Sequence, residues 1–289
     1  TANVAMGRAA MYANTTGASN TAIGTSAMEA NTTGDSNVAV GKFALDANTT
    51  ASNNVAVGSA ALGANTTGAG NTAVGTNALD ANTTGANNVA IGFDALTANT
   101  TATNNVAVGK IALYSNTTGS ENIAIGNSAL RACTTGTGNI AMGYLALDAI
   151  TTGTDCVAIG TYTLDVNTGN HNVGIGRSVL SANTSSTQNT GVGSNALILA
   201  TGGYNTGVGY TSGKAITTGT FFSGLGQRSG ESLTTGTKNT MIGNYTGATL
   251  TTGNYNLCVG SDCNVSASGA ANQTVLGYSV TGNANDSLC

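Results

Sequence analysis

Residues 37–50 read NVAVGKFALDANTT, and this stretch contains both halves of a unit that recurs along the 289-residue chain. In its first half, residues 38–40 alternate large and small side chains before Gly41, which is the period-2 pattern of a β-strand. The equivalent glycines are Gly7, Gly24, Gly41, Gly58, Gly75, Gly92, Gly109, Gly126, Gly143, Gly160, Gly176, Gly193, Gly209, Gly226, Gly243, Gly260 and Gly277. Seventeen tandem copies of about 17 residues predict a solenoid.

The composition excludes several other classes of protein. Only 7% of residues are charged and 4% are aromatic, yet Val, Ile and Thr recur regularly, which argues against disorder. The net charge of −4 and the scattered cations argue against nucleic-acid binding. No run of 18 apolar residues exists, so no membrane span is expected. The chain starts at Thr1 inside a repeat, and we expect it to be a piece of a longer protein.

The two faces of the predicted strand differ in side-chain size. Positions are numbered here from the repeat glycine, and equivalent residues of successive copies form a column. Column −1 is large and aliphatic in all 17 copies, which predicts that it lines the core. Column −2 is Ala in the first ten copies and Gly in the next four, which predicts a bare outer face that contacts another chain closely or, as the alternative, meets water. The residues predicted to form this oligomer face are Ala39, Ala56, Ala73, Ala90 and Ala107.

The second half of the unit carries Leu in column +4 and Asn in column +7. Three late copies exchange these for Gly and a large aliphatic residue, in the pairs Gly213 and Ile216, Gly230 and Leu233, and Gly247 and Leu250. A loss of apolar volume matched by a gain three residues later indicates that both columns point into one core. We therefore expect an inward ladder of stacked Asn side chains.

These patterns predict an all-β, parallel β-solenoid of 17 coils, in which each strand pairs with its equivalent in the next coil. Residues 1–255 hold the regular repeats, and residues 256–289 hold degenerate terminal coils.

The repeat resembles a known family of fibre proteins. The stretches NTAVGTNAL at 71–79 and NVAIG at 88–92 are similar to repeats of phage tail fibres that end in an endosialidase-type intramolecular chaperone. They are more loosely similar to the coils of trimeric autotransporter adhesin heads. The resemblance implies a left-handed β-roll, a homotrimer, and presentation outside the cell to bind a surface. The resemblance does not assign a receptor-binding role to any residue of this chain.

Catalytic chemistry has little support in the sequence. The single His, His171, lies in a shortened turn, and the acidic residues mostly occupy outward columns singly. No cysteine pair has metal-binding spacing, and the calcium-roll signature is missing. We therefore predict no enzyme, and no catalytic, cofactor-binding or metal-binding residue.

The five cysteines are the least repetitive feature of the sequence. Cys133 and Cys156 flank the same turn in successive copies, and Cys258 and Cys263 are close enough to close a small loop. Each pair is a candidate disulfide, with buried free thiols as the alternative. Cys289 is then either free or paired with a cysteine of another chain.

Twelve glycosylation sequons occur, seven of them as the repeated Asn-Thr-Thr. An inward Asn column cannot carry a glycan. The better candidates lie outside that column, at Asn244, Asn264, Asn272 and Asn285.

The leading hypothesis is an extracellular fibre or adhesin segment, on a virion or a cell surface, that spaces and presents a surface-binding tip. Its partners are further copies of itself and a cell-surface receptor that the sequence does not identify. The first alternative is a secreted protein that stacks end to end into a filament. The second is an ice-binding solenoid, because the paired threonines form ladders.

Overall fold

The computed structural model describes residues 2–289, which contain 17 β-strands of three residues each and no helix. The chain divides after Gly153 into two compact units. The first unit contains β1 (Val4–Met6), β2 (Thr21–Ile23), β3 (Val38–Val40), β4 (Val55–Val57), β5 (Thr72–Val74), β6 (Val89–Ile91), β7 (Val106–Val108), β8 (Ile123–Ile125) and β9 (Ile140–Met142). The second contains β10 (Val157–Ile159), β11 (Val173–Ile175), β12 (Thr190–Val192), β13 (Thr206–Val208), β14 (Ser223–Leu225), β15 (Thr240–Ile242), β16 (Leu257–Val259) and β17 (Thr274–Leu276).

Within each unit, successive strands pair in parallel and in register. Ala39 of β3, for example, lies opposite Ala56 of β4. Hydrogen bonds between coils continue outside the strands, as in the donation from Leu45 N to Ala61 O at 3.0 Å. Each coil thus satisfies its backbone on the next coil, and the predicted all-β parallel β-solenoid is confirmed.

The side chains of the strands point in the directions opposite to those predicted. The five alanines of the predicted oligomer face have no exposed surface within a single chain: Ala39, Ala56, Ala73, Ala90 and Ala107. Column −1 lies outside instead, with Val74 37% and Ile91 40% exposed. The prediction that column −1 lines the core is wrong, and so is the prediction that column −2 contacts another chain.

The reason for this reversal is the narrowness of the coil. Column −2 faces column +3 across the interior, and there is little space between them. A Cβ atom added at Gly174 would lie 2.5 Å from Cγ2 of Thr163, and one at Gly191 would lie 2.4 Å from Cγ1 of Val179. At these two positions column −2 therefore changes from Ala to Gly where the facing residue of column +3 becomes larger, because the interior is already filled.

Column +4 supplies most of the large side chains of the core, as Met or Leu in most coils. Leu45 is completely buried, yet its φ of 54° lies in the left-handed region, which bulky residues rarely adopt. This backbone conformation costs about 1 kcal/mol per residue, and burying a leucine side chain, worth about 2 kcal/mol, offsets it.

In three late coils a glycine takes the column +4 position and removes this strain. Gly230 and Gly247 have φ values of 59° and 70°. Neighbouring side chains fill the space, since a Cβ at Gly230 would lie 2.6 Å from the Phe222 ring and one at Gly247 would lie 2.5 Å from Sδ of Met241. The matching residues of column +7, Ile216, Leu233 and Leu250, are completely buried, which confirms that this column points inward.

Two ladders of buried asparagines hold the turn that follows each Thr-Thr pair. In column +7, Asn48 Nδ2 donates to Asn31 Oδ1 at 2.9 Å and to Ala51 O at 3.0 Å. In column −4, Asn37 Nδ2 donates to the same Ala51 oxygen at 2.8 Å, and Asn54 N donates to Asn37 Oδ1 at 2.9 Å. The column +7 ladder was predicted from the sequence, whereas the column −4 ladder was not.

The column +7 ladder is interrupted where its pattern changes. In this ladder the Oδ1 of each asparagine accepts a hydrogen bond from the side-chain amide of the asparagine in the next coil, as Asn99 does from Asn116. In the coil after Asn116, the column +7 position is occupied by Cys133, which has no side-chain amide. Asn116 Oδ1 is accordingly buried without a hydrogen-bond partner. A break in the ladder leaves its last acceptor unsatisfied.

A mid-ladder substitution tests the energy of this network. We expect Asn82→Ala to lower the free energy of unfolding by about 3 kcal/mol, because it leaves buried polar groups unpaired. The lost bonds join Asn82 Nδ2 to Asn65 Oδ1 (2.8 Å) and Gly85 O (2.9 Å), and Asn99 Nδ2 to Asn82 Oδ1 (2.8 Å). Urea unfolding measures the change.

The matched control is Thr84→Ala, two residues away, because the Thr84 side chain is exposed. It is expected to change stability by less than about 0.5 kcal/mol. Equal destabilisation by the two variants would contradict the importance of the ladder.

Candidate interaction surfaces

The outer side of the strands in the first unit is an uncharged strip of mostly aliphatic side chains. Columns −3 and −1 of β2–β9 form this strip, here called the aliphatic face. Its members are Thr21, Ile23, Val38, Val40, Val55, Val57, Thr72, Val74, Val89, Ile91, Val106, Val108, Ile123, Ile125, Ile140 and Met142. Val74, Ile91 and Met142 are 37–40% exposed. Contiguous, partly exposed apolar surface is a common feature of interaction sites in proteins.

The outer side of the second unit is more polar and carries aromatic rings. Column −5 contains Tyr204, Phe221, Lys238 and Tyr255 in four successive coils, here called the aromatic stripe. Column −3 changes from Val and Ile to hydroxyl residues at Thr190, Thr206, Ser223 and Thr240. The constant 17-residue spacing of the stripe is visible in the sequence, but its significance was not recognised there.

The threonine pairs occupy two columns with different surroundings. In column +8 the hydroxyl is used internally, as in the donation from Thr32 Oγ1 to Thr49 O at 3.0 Å. In column +9 the side chains, such as Thr33 and Thr50, are exposed. The first unit thus presents one regular column of exposed threonines.

The carboxylates of Asp46 and Asp80, in column +5, lie on either side of Gly63, which has no side chain to fill the space between them. A Cβ at Gly63 would lie 2.6 Å from Oδ1 of Asp80 and 3.7 Å from Oδ1 of Asp46. Burial raises the pKa of both carboxyls, and repulsion from Asp80 and Glu29 adds to the effect at Asp46. Across residues 2–289, no three metal-ligating side chains come together at one point.

His171 lies in the second unit beside Asp155, with Nε2 3.6 Å from Oδ2. Both side chains are more than half exposed, so this contact faces solvent. The described part of the chain contains no enclosed pocket. It also contains no helix of the length and apolarity needed to cross a bilayer.

The four sequons outside the repeated column differ in accessibility. Asn244, Asn272 and Asn285 are exposed, whereas Asn264 is half-buried. Asn264 is also tied to the backbone, since Nδ2 donates to Asp262 O at 3.1 Å. Glycosylation at these positions stays a prediction.

All five cysteines are free thiols in the structure, so neither candidate disulfide, Cys133 with Cys156 or Cys258 with Cys263, is formed. Cys258 and Cys263 occupy columns −2 and +3 of one coil, and their thiols are hydrogen-bonded across its interior. Burial raises the pKa of Cys133 to about 11. Burial and the neighbouring Cys263 raise the pKa of Cys258 to about 12.

A raised pKa keeps a buried thiol protonated near neutral pH, and only the thiolate is a good nucleophile. We therefore predict that the buried cysteines react slowly. With 5,5′-dithiobis(2-nitrobenzoate) at pH 8, we expect only the partly exposed Cys289 to react in the folded protein, and all five thiols to react after unfolding. Cys289→Ser should reduce the native count to zero. Rapid reaction of two or more thiols in the folded protein would contradict the prediction.

Comparison of the chain with protein-family models, with curated proteins and with solved structures finds no match. The resemblance to fibre repeats therefore rests on the sequence pattern alone.

Proposed function

We propose that the chain is a structural segment of an extracellular fibre, which assembles as a homotrimer and spaces a surface-binding tip. The observation that carries the proposal is the aliphatic face. The aliphatic face takes the contact role that the sequence suggested for column −2, because the alanines of column −2 are buried inside the coil. The trimeric state and the left-handed sense of the coil are what the resemblance implies.

The size and charge of the aliphatic face support self-association. At roughly 40 Å² of exposed surface per side chain, it presents on the order of 600 Å², close to the ~800 Å² that each partner contributes to a standard interface. None of its side chains is charged, so contact between copies brings no like charges together. Its regular columns offer every copy the same complementary surface.

The oligomeric state tests the proposal. We expect light scattering at micromolar concentration to give three times the 28.1 kDa mass of one chain. Val74→Lys combined with Ile91→Lys should yield a folded monomer, because both side chains are exposed in one chain and the new charges would be buried between chains.

The matched control is Thr67→Lys with Thr84→Lys, which adds the same charge to an exposed column elsewhere. The control should remain trimeric. A monomeric unmodified protein would remove the proposal, and a mass that rises continuously with concentration would favour the end-to-end filament.

The exposed threonines of column +9 favour ice binding as a second candidate function. Their regular spacing, one coil apart, supports it, although the hydroxyls of column +8 are already bonded to backbone. Thermal hysteresis in the freezing of a protein solution tests this candidate. Substitution of Thr67 and Thr84 by lysine should abolish any hysteresis.

A further inference from the structure

The coil that contains β16 holds two cysteines inside it. Cys258 lies in column −2 and Cys263 in column +3, and neither has any exposed surface. The thiol of Cys258 donates a hydrogen bond to the sulfur of Cys263, and Cys263 Sγ donates to Val275 O at 3.2 Å. The two thiols therefore interact directly within one coil.

Other coils of the second unit show how closely these two columns approach each other. A Cβ atom at Gly207, in column −2, would lie 3.1 Å from the carbonyl oxygen of Ser212, in column +3 of the same coil. A Cβ atom at Gly191 would lie 3.5 Å from the carbonyl oxygen of Ala196. A disulfide requires two Cβ atoms about 4 Å apart. The narrow coil thus brings columns −2 and +3 within the reach of a disulfide.

The core of this coil is otherwise depleted. Its column +4 position is the half-buried Asn264, and its column +7 position is the exposed Ala267. In the preceding coil, column +7 holds the completely buried Leu250. Segments that bury few apolar side chains open most easily. A covalent link across the interior would compensate for the missing core.

Residues 278–289 depend on the same coil for their backbone hydrogen bonds. Asn264 N donates to Val280 O at 2.9 Å, and Gly282 N donates to Asn264 O at 2.9 Å. Asn264 directly follows Cys263 in the chain. A link that fixes Cys263 would therefore also fix the segment that packs beside it.

We propose that Cys258 and Cys263 form a redox-controlled crosslink, which holds residues 278–289 in place when it is oxidised. The oxidant is a small disulfide such as oxidised glutathione. The thiolate of Cys263 attacks one sulfur of the oxidant and releases one glutathione thiol, and the sulfur of Cys258 then displaces the second. One S–S bond forms in the protein and one breaks in the oxidant, which takes up two electrons and two protons.

Burial determines when this exchange occurs. The closed coil exposes neither sulfur, so the oxidant reaches the thiols while the chain folds or when this coil opens. Once formed, the disulfide is shielded from reducing thiols in the same way. Both cysteines belong to one coil of one chain, so the crosslink does not depend on the assembly proposed above.

Thiol counting in the Cys289→Ser variant tests the proposal, because this change removes the one cysteine that is not buried. The variant is unfolded in urea and refolded either with a reducing agent or in a buffer of reduced and oxidised glutathione. We expect four thiols in the first sample and two in the second, with Cys258 joined to Cys263 in the peptide map. Hydrogen exchange at residues 274–289 should be about tenfold slower in the oxidised sample.

Two further substitutions in this variant are the controls. Cys263→Ser is expected to fold, since Ser212 and Ser229 are buried in column +3 of other coils, and its three thiols should survive the oxidising buffer. Cys133→Ser keeps the pair and should fall from three thiols to one. Three results would overturn the proposal: four thiols after oxidative refolding, a bridge between other cysteines, or equal hydrogen exchange in the two redox states.

Discussion

Replacing Ala90 with glutamate is expected to abolish the cooperative folding of the first unit. Ala90 is completely buried, and so are its strand partners Ala73 and Ala107. The longer side chain would overfill a packed interior, and its carboxylate would find no partner there. The cost exceeds about 5 kcal/mol, which is comparable with the whole stability of a typical domain. Circular dichroism should show loss of β-structure and of the thermal transition.

The neighbouring residue supplies the control. Ile91→Glu introduces the same group at a side chain that is 40% exposed, so the single chain should still fold. Its expected cost is about 1 kcal/mol, from lost contacts with neighbouring strands. If Ile91→Glu unfolded the protein and Ala90→Glu did not, the assignment of Ala90 to the inside of the coil and Ile91 to the outside would be wrong.

Gly92→Ala is expected to be strongly destabilising. Gly92 has a φ of 137°, which L-residues rarely adopt. An added Cβ would lie 2.5 Å from the carbonyl oxygen and 2.7 Å from the carbonyl carbon of Gly109. Both are backbone atoms, so the adjacent coils would have to separate and lose hydrogen bonds. We expect a loss of about 4 kcal/mol or more, measured by urea unfolding.

Gly63→Ala is the matched control for this substitution. Its added Cβ would meet Oδ1 of Asp80 at 2.6 Å, which is the end of a movable side chain. Gly63 is not among the residues with positive φ, so alanine fits its backbone. The expected change is below about 1 kcal/mol. A similar loss in both variants would argue against a special role for the repeat glycine.

The sequence by itself determined the period, the position of the strand and the inward direction of the column +7 asparagines. These follow from comparing copies along the chain. The repeat glycine recurs in every copy, and the exchange of volume between Gly213 and Ile216 reports a shared interior. Equivalent residues stack in a solenoid, so a repeated residue directly indicates a ladder.

Only the tertiary structure decided which strand face is inside. Residue size suggested that Ile91 was buried and Ala90 exposed, as in an ordinary sheet that packs against a second layer. Here the chain returns so closely that Thr163 fills the space in front of Gly174, and in the first fourteen coils the inner strand face holds only Ala or Gly. The width of the coil depends on left-handed residues such as Leu45, whose backbone angles no periodic pattern of polarity predicts. Large aliphatic residues are therefore displaced to the outside, where the proposed assembly would cover them.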